Sequence, residues 1–269
     1  MDRSADDSSM RHLRTLLVSV AIVAAALSAP LLGRLLPEAR TTPFRPPDAE
    51  HLLGTDALGK DVLGQLLIHA PTTFTVPALA AVVLAVLGSL LGVLLGLGPA
   101  RMRSALLRAG DVVLIIPPIV LTLVIVLGFG ATPVSIVIAV VLAGLIVFLR
   151  VISSATLQVA HSGYVEAAFG FGDTPLRIAV RDMLPQLIGI VIAETSLRFL
   201  AAIQLVAALS FLGFAAGIGN SWARTIRDNI AGFPLNPWAT LAPGLALVLS
   251  VALIAFIVER AGNPEEEIT

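Results

Sequence analysis

Long apolar segments alternate with short polar ones along this chain. An apolar run of about 20 residues is long enough to cross a bilayer as an α-helix. The runs predict an all-α protein with six transmembrane helices, over approximately 13–36, 71–97, 111–127, 133–149, 187–211 and 239–258. The polar stretches between them predict three larger extramembrane segments, over 37–70, 150–186 and 212–238.

The third and fourth predicted helices come from one uncharged run over 112–149, which is too long for a single crossing. Residues 128–133, Gly-Phe-Gly-Ala-Thr-Pro, supply the turn between them. Pro117 and Pro118 lie inside the third helix and predict a kink or a break, because proline removes a backbone hydrogen bond. Three arginines mark the loop expected before this helix: Arg101, Arg103 and Arg108.

A glycine stripe marks the second predicted helix. Gly88, Gly92 and Gly96 recur every fourth residue and therefore share one helix face. In lipid, a stripe of small residues lets another helix approach closely. We therefore expect this face to pack against a neighbouring helix.

The first apolar run has some features of a secretory leader. Arg3, Arg11 and Arg14 precede it, and it ends in Ala-Leu-Ser-Ala at 26–29. However, Pro30 would follow the cleavage point directly, where proline is poorly tolerated, and the run is close to spanning length. We therefore expect a retained first helix.

Basic residues indicate how the helices are oriented. Six spans place both termini on one side, and arginine and lysine concentrate on the cytoplasmic side. With the N-terminus inside, inner segments hold about ten basic residues and outer segments about six. We therefore expect cytoplasmic tails over 1–12 and 259–269, a transmembrane domain over 13–258, outer segments over 37–70 and 212–238, and a cytoplasmic loop over 150–186.

Composition agrees with a multi-pass protein of the bacterial plasma (inner) membrane. Hydrophobic residues make up 57% of the 269 residues and charged residues 13%, against roughly 25% charged in soluble domains. The net charge of −1 argues against a nucleic-acid partner. The chain has no cysteine, which excludes disulfides and thiolate ligands.

The motifs of common catalytic and metal sites are missing from the sequence. The glycine-rich phosphate loop ending in Lys-Ser/Thr does not occur, so we expect no nucleotide hydrolysis in this chain. Neither GxSxG nor HExxH occurs, and the four histidines have no metal-ligand spacing. We expect no catalytic residue, no bound metal and no cofactor of its own.

Two ionisable residues lie inside the fifth predicted helix. Glu194 and Arg198 are one helical turn apart and can form a pair. Charges within a bilayer usually face a bundle interior or a water path. With Gln204, they are candidates for a translocation path that meets charged substrate ends. A structural pair, or groups that snorkel to the cytoplasmic interface, is the alternative.

Three other residues near the predicted outer interface have simpler interpretations. His69 stands where the outer segment enters the second helix, and we expect it to be hydrogen-bonded rather than a ligand. Trp222 and Trp238 flank the outer ends of the last two helices. An aromatic belt at the membrane interface accounts for both tryptophans.

A polar island over 164–185, YVEAAFGFGDTPLRIAVRDMLP, interrupts the apolar pattern. It predicts a short helix, a glycine turn and a second short helix on the cytoplasmic side. The island resembles the EAA loop of permease subunits of ABC importers, through Glu166-Ala167-Ala168, Gly172 and Leu184-Pro185. In that family the loop forms a coupling helix that docks into a groove of the cytoplasmic ATPase subunit. The resemblance implies coupling roles for Tyr164, Glu166, Ala167, Ala168, Gly172, Arg177, Arg181, Leu184 and Pro185.

Further stretches narrow the resemblance. HLLGTDALGKDVLGQLL, over 51–67, is similar to the HxLGTDxxGRDVxSRxx signature of dipeptide, oligopeptide and nickel permeases of the DppC/OppC type. ALSFLGF, over 208–214, resembles that family's ALSFLGLG. Together the similar stretches cover about 13–258. The chain departs from the family at Asp182, where histidine is usual, and at Val206, where glutamate is common.

The resemblance implies a type I ABC importer permease fold and uptake of di- or oligopeptides. Nickel or another metal chelate, haem and glutathione are alternative substrates, and an ATP-independent channel, a secondary transporter or a membrane enzyme are alternative classes. The implied partners are a second permease of the DppB/OppB type, two ATPase subunits that hold ATP and Mg, and an extracytoplasmic substrate-binding protein. Five outer residues are candidates for docking that protein or for an outer gate, or for a purely structural loop: Gly54, Thr55, Asp56, Gly59 and Asp61.

Overall fold

The computed structural model describes residues 41–160 and 173–262, together with Gly33. The longer regular elements in these ranges are α-helices, as the apolar pattern predicts. We number them α1 (Val62–Leu97), α2 (Ala100–Ile115), α3 (Pro118–Phe129), α4 (Pro133–Ala160), α5 (Pro175–Leu212), α6 (Trp222–Asn229) and α7 (Trp238–Gly262). Short 3-10 turns lie at Ala216–Ile218 and Ile230–Gly232.

Four described helices are long and apolar enough to cross a membrane: α1, α4, α5 and α7 through Glu259. They correspond to four of the predicted spans, and all four extend beyond the apolar runs. The α2–α3 pair provides a fifth crossing if it is counted as one broken span. The first predicted span, over 13–36, lies outside the described residues apart from Gly33, so the sixth crossing stays a prediction.

The third predicted span is broken rather than merely kinked. Helices α2 and α3 meet at an angle of 87°. The chain leaves helical geometry at Ile116 and Pro117, and Pro118 then starts α3. Residues before proline disfavour the α conformation, which explains why the break falls there.

The arginine-rich segment expected as a loop is helical. Arg101, Arg103 and Arg108 lie on α2, which begins at Ala100. Arginine is a good helix former, but its charge hides a helix from a search for apolar runs. The prediction of a loop at these arginines was therefore wrong.

The glycine stripe packs against α4, as predicted. A Cβ atom added at Gly88, Gly92 or Gly96 would lie only 2.5–2.7 Å from a side-chain atom of that helix. The α4 residues that the three glycines face are, in order, Phe148, Ile152 and Thr156. The absence of a side chain thus lets the axes of α1 and α4 come close, in the manner of small-residue packing in membranes.

Four buried apolar clusters hold the described helices together, and two of them are much larger than the others. One joins α3, α4 and α5 through residues such as Val126, Ile136 and Leu209. The other joins α1, α4 and the first turns of α5 through residues such as Phe148 and Met183. A partly open cavity lies among α1, α3, α4 and α5.

Candidate functional site

The outer segment before α1 is a compact, hydrogen-bonded unit. Thr55 is completely buried, and its hydroxyl donates to the Thr42 carbonyl at 2.7 Å and accepts the Arg45 amide at 2.8 Å. The buried carboxylate of Asp56 accepts the amides of Leu58 at 2.8 Å and Lys60 at 2.9 Å, which closes the next turn. These residues fix the backbone of the segment.

Two glycines of this unit occupy positions that other residues fit poorly. Gly54 and Gly59 both have φ of +72°, in the left-handed region. A Cβ atom at Gly59 would lie 2.1 Å from the Thr41 carbonyl oxygen, and one at Gly54 would lie 2.3 Å from that of Arg45. Conformation and close backbone contact therefore both favour glycine here.

Asp61 links the outer unit to α1. Its Oδ1 accepts the Gly64 amide at 2.7 Å and caps the helix, and its Oδ2 lies 2.9 Å from Nδ1 of His51. Asp61 and His51 are both buried. Asp48 orders the preceding turn by accepting the His51 amide at 2.7 Å, and this backbone hydrogen bond lowers the pKa of the Asp48 carboxyl.

Two asparagines of the later outer loop bind this unit, and the sequence reading missed both. Asn236 donates through Nδ2 to the carbonyls of Leu53 and Thr55 at 3.0 Å each. Asn229 accepts the Ala57 amide at 2.8 Å. Both asparagines are buried, so these hydrogen bonds join the two outer segments. No local pattern marks residues that pair across so long a stretch of chain.

His69 and Trp222 are structural as well. His69 Nδ1 lies 3.0 Å from the Thr225 hydroxyl, which confirms a hydrogen-bonded histidine. Trp222 is buried, donates its indole N–H to the Leu66 carbonyl at 2.7 Å, and contacts the Phe74 ring edge-on. The expectation of an interface belt was wrong for Trp222, whose ring packs inside the protein. Trp238 is exposed.

The five predicted outer residues thus come together in one place, but all are buried. The surface of the unit carries two exposed leucines, Leu52 at 64% and Leu58 at 59%, beside the exposed charged side chains of Arg45 and Glu50.

Only part of the predicted coupling loop lies in the described residues. Tyr164, Glu166, Ala167, Ala168 and Gly172 fall outside them. The remaining four predicted coupling residues all lie at the start of α5: Arg177, Arg181, Leu184 and Pro185. The side chains of Arg177, Arg181 and Pro185 are exposed, and Leu184 is half-buried.

The polar island runs directly into the membrane span. Its second short helix, expected as a separate element, is continuous with α5 through a π-helical turn at Ala179–Met183. Pro185 follows this turn, and wider turns of this kind accommodate a residue without an amide hydrogen. Arg177 pairs with Asp173 at 2.9 Å between Nη1 and Oδ1.

A cavity of about 300 Å³ lies among α1, α3, α4 and α5. Its described lining is mostly apolar, and the polar side chains in it are those of Arg198 and Gln204. The lining residues are Leu84, Pro118, Ile119, Val140, Ala143, Gly144, Arg198, Ala201, Ala202, Gln204, Leu205 and Ala208.

Glu194 pairs with Arg198 at the edge of this cavity. Nε of Arg198 lies 2.8 Å from Oε1 of Glu194, and the two side chains are 21% and 7% exposed. Neither atom completes a directed hydrogen bond, so the contact is an ion pair in which the N–H does not point at the oxygen. The sequence spacing alone thus predicted the pairing, and the fold adds the cavity.

The cavity lies along stretches of α4 and α5 that are long and apolar enough to cross a membrane. At 1.5 Å per residue, Arg198 lies about 21 Å along α5 from its end at Leu212. Gly144 lies about 17 Å along α4 from its start at Pro133. Both distances are shorter than the thickness of a hydrocarbon core, which is about 30 Å.

Comparison with known proteins identifies the class. Residues 88–262 match the family described as "Binding-protein-dependent transport system inner membrane component". The chain belongs to this family and is a transport permease subunit of the inner membrane with several crossings.

Named relatives agree over most of the chain. It is 31% identical over 249 residues to the di/tripeptide transport system permease protein DppC of Pseudomonas aeruginosa, which covers 89% of this chain and 82% of that protein. It is 29% identical over 245 residues to a putative peptide transport system permease protein of Brucella suis, with 90% and 82% covered. The dipeptide transport system permease protein DppC of Alkalihalophilus pseudofirmus is 28% identical over 240 residues, with 88% and 79% covered.

Proposed function

We propose that this chain forms half of the transmembrane path of an ABC importer for di- and oligopeptides. The observation that carries the proposal is the single helix α5, which bears the exposed arginines Arg177 and Arg181 at one end and the cavity residues Arg198 and Gln204 further along. A continuous helix transmits a displacement of one end to the other. The peptide names of relatives that align over about nine-tenths of the chain supply the substrate class.

The proposed assembly contains three kinds of partner and four partner subunits. A homologous second permease completes the path, two ATPase subunits bind ATP and Mg, and an extracytoplasmic binding protein delivers the peptide. The loop around Glu166 docks on an ATPase, and both termini of this chain face the cytoplasm. Closure of the ATPase pair moves that loop, and α5 carries the motion to the cavity.

The outer unit is proposed to meet the binding protein. Thr55, Asp56 and Asp61 are buried and hold the unit rigid, while Leu52 and Leu58 expose apolar surface. A rigid support with exposed apolar side chains suits a docking contact, because little conformational freedom is lost on binding.

Reconstitution of the complex tests the proposed function. The ATPase should co-purify with the wild-type chain, and ATP-dependent peptide uptake should follow in vesicles supplied with the binding protein. Glu166→Lys should abolish uptake, because it reverses the sign of a charge in the coupling loop. Glu259→Lys makes the same change at an exposed residue near the end of α7 and should leave uptake intact. If no ATPase co-purifies and Glu166→Lys transports normally, the proposal is overturned.

Parallel uptake assays separate the substrate classes. Labelled dipeptide should enter the vesicles, while nickel chelate, haem and glutathione should not compete for its uptake. Uptake of one of these without peptide uptake would keep the permease role and replace the substrate. Peptide uptake without ATP would indicate a channel or secondary transporter.

A further inference from the structure

Building on the proposed peptide importer, we propose that Arg198 recognises the terminal carboxylate of the substrate inside the membrane. Arg198 is the charged residue in the described lining of the cavity among α1, α3, α4 and α5. This role gives the permease a part of the substrate selectivity that does not depend on the binding protein.

The charge of Arg198 supports this proposal. An arginine within a membrane-spanning helix is costly, and such residues usually serve a path or a pair. Arg198 does both, because it lines the cavity and contacts Glu194 at 2.8 Å. Glu194 does not line the cavity, so its carboxylate balances the charge of Arg198 from the side away from the cavity. The side chain of Arg198 remains 21% exposed.

The hydrogen-bond donors of the Arg198 guanidinium also suit a carboxylate ligand. A guanidinium carries five N–H donors in a planar fork, which matches a carboxylate with two parallel hydrogen bonds. The contact with Glu194 joins Nε to one oxygen and lacks a directed hydrogen bond. An incoming carboxylate therefore meets a guanidinium whose hydrogen-bonding capacity is not taken up by this pair.

The size of the cavity limits the length of the substrate. Gly144 lies directly beside Arg198 in the cavity wall, where an added Cβ atom would contact Cδ of the arginine at 3.5 Å. The volume of about 300 Å³ is at the lower end of the range for small-ligand sites. The site therefore fits a short substrate rather than a long peptide.

The separation of Arg198 and Gln204 along α5 matches the length of a short peptide. Gln204 lines the same cavity six residues after Arg198, which is about 9 Å along the helix. An extended dipeptide or tripeptide spans about 7–10 Å. A carboxylate on Arg198 thus brings the remainder of such a peptide to the Gln204 amide, which both donates and accepts hydrogen bonds.

The test uses the assembled complex in vesicles with its binding protein and ATPases. Uptake is measured for a dipeptide with a free carboxylate and for the same dipeptide as a C-terminal amide, each at concentrations that saturate the binding protein. The key variant is Glu194→Gln combined with Arg198→Gln, because it removes both charges and leaves neither buried alone. A matched control is Asp111→Asn combined with Arg150→Gln, which neutralises an ion pair that does not line the cavity.

The proposal expects the key variant to lose at least about tenfold in kcat/KM for the free-carboxylate dipeptide, as for loss of a hydrogen bond to a charged group. Uptake of the amide should change less than twofold, and the control should treat the two substrates alike. Equal effects of the key variant on both substrates, or no effect on either, would make the pair structural and overturn the proposal. If the wild-type complex takes up neither dipeptide, the proposed function itself fails and this inference fails with it.

Discussion

Asp61 serves two buried neighbours with its two carboxylate oxygens, so it is the residue at which the outer unit is most sensitive to change. Asp61→Ala removes the cap of α1 and leaves His51 without its partner. Loss of a cap costs about 1 kcal/mol, and an unsatisfied buried polar group costs about 1–3 kcal/mol more. We expect a clear fall in the unfolding temperature of the purified complex. Glu50→Ala, at an exposed neighbouring carboxylate, is the control and should change it little.

Gly92 offers a second sensitive position, because a Cβ atom there would lie 2.7 Å from that of Ile152. We expect Gly92→Ala to destabilise the complex by about 1–3 kcal/mol through overpacking. Gly128→Ala is the matched control, since nothing lies within 4 Å of its added Cβ atom and alanine favours the helix. Thermal unfolding of the two variants checks the difference. A Gly92→Ala complex as stable as the control would contradict the close approach of α1 and α4.

At the scale of elements, the break between α2 and α3 makes a prediction about distance. The helices have 16 and 12 residues, or about 24 and 18 Å at 1.5 Å per residue. Their far ends are then about 30 Å apart at 87°, against about 42 Å if they were collinear. Because the chain has no cysteine, Arg101→Cys and Phe129→Cys provide two unique sites for spin labels. Pulsed electron paramagnetic resonance should give the shorter distance.

The same labels test the cause of the break. Replacing Pro117 and Pro118 by alanine restores two amide donors and removes the restriction on Ile116. The distance should shift towards the longer value. A wild-type distance near 42 Å would contradict the broken span, and an unchanged distance in the variant would assign the angle to packing instead of proline.

The helices themselves were largely predictable, because apolar length is a local property of the sequence. The four spans follow from apolar length, the break from Pro117 and Pro118, and the pairing of Glu194 with Arg198 from their spacing of one helical turn. The ends were not predictable in this way. Helix α2 carries charge on its exposed face, and α5 continues into the polar island through a π-helical turn. In both places helical propensity and tertiary packing extend a helix beyond its apolar run.

The cavity and the outer unit depend on contacts between distant parts of the chain. Asn236 holds the carbonyls of Leu53 and Thr55, although more than 180 residues separate them. The sequence motif singles out Thr55 but does not show which residue it contacts. A docking role and a structural role therefore cannot be distinguished from the motif. Likewise, spacing pairs Arg198 with Glu194, but only the fold shows that Arg198 lines a cavity and Glu194 does not.

At the scale of the whole molecule, the orientation in the membrane is open to a direct test. The arginine distribution predicts that the outer unit faces away from the cytoplasm and that the start of α5 faces it. In cells, a membrane-impermeant maleimide should label Leu58→Cys directly, since this side chain is exposed on the outer unit. Arg177→Cys, also exposed, should react only after the membrane is permeabilised. Val93→Cys is the control that stays unlabelled in both cases, because Val93 is completely buried. Labelling of Arg177→Cys in intact cells would show that the chain has the opposite orientation in the membrane. The coupling end of α5 would then face away from any cytoplasmic ATPase, which would contradict the importer mechanism.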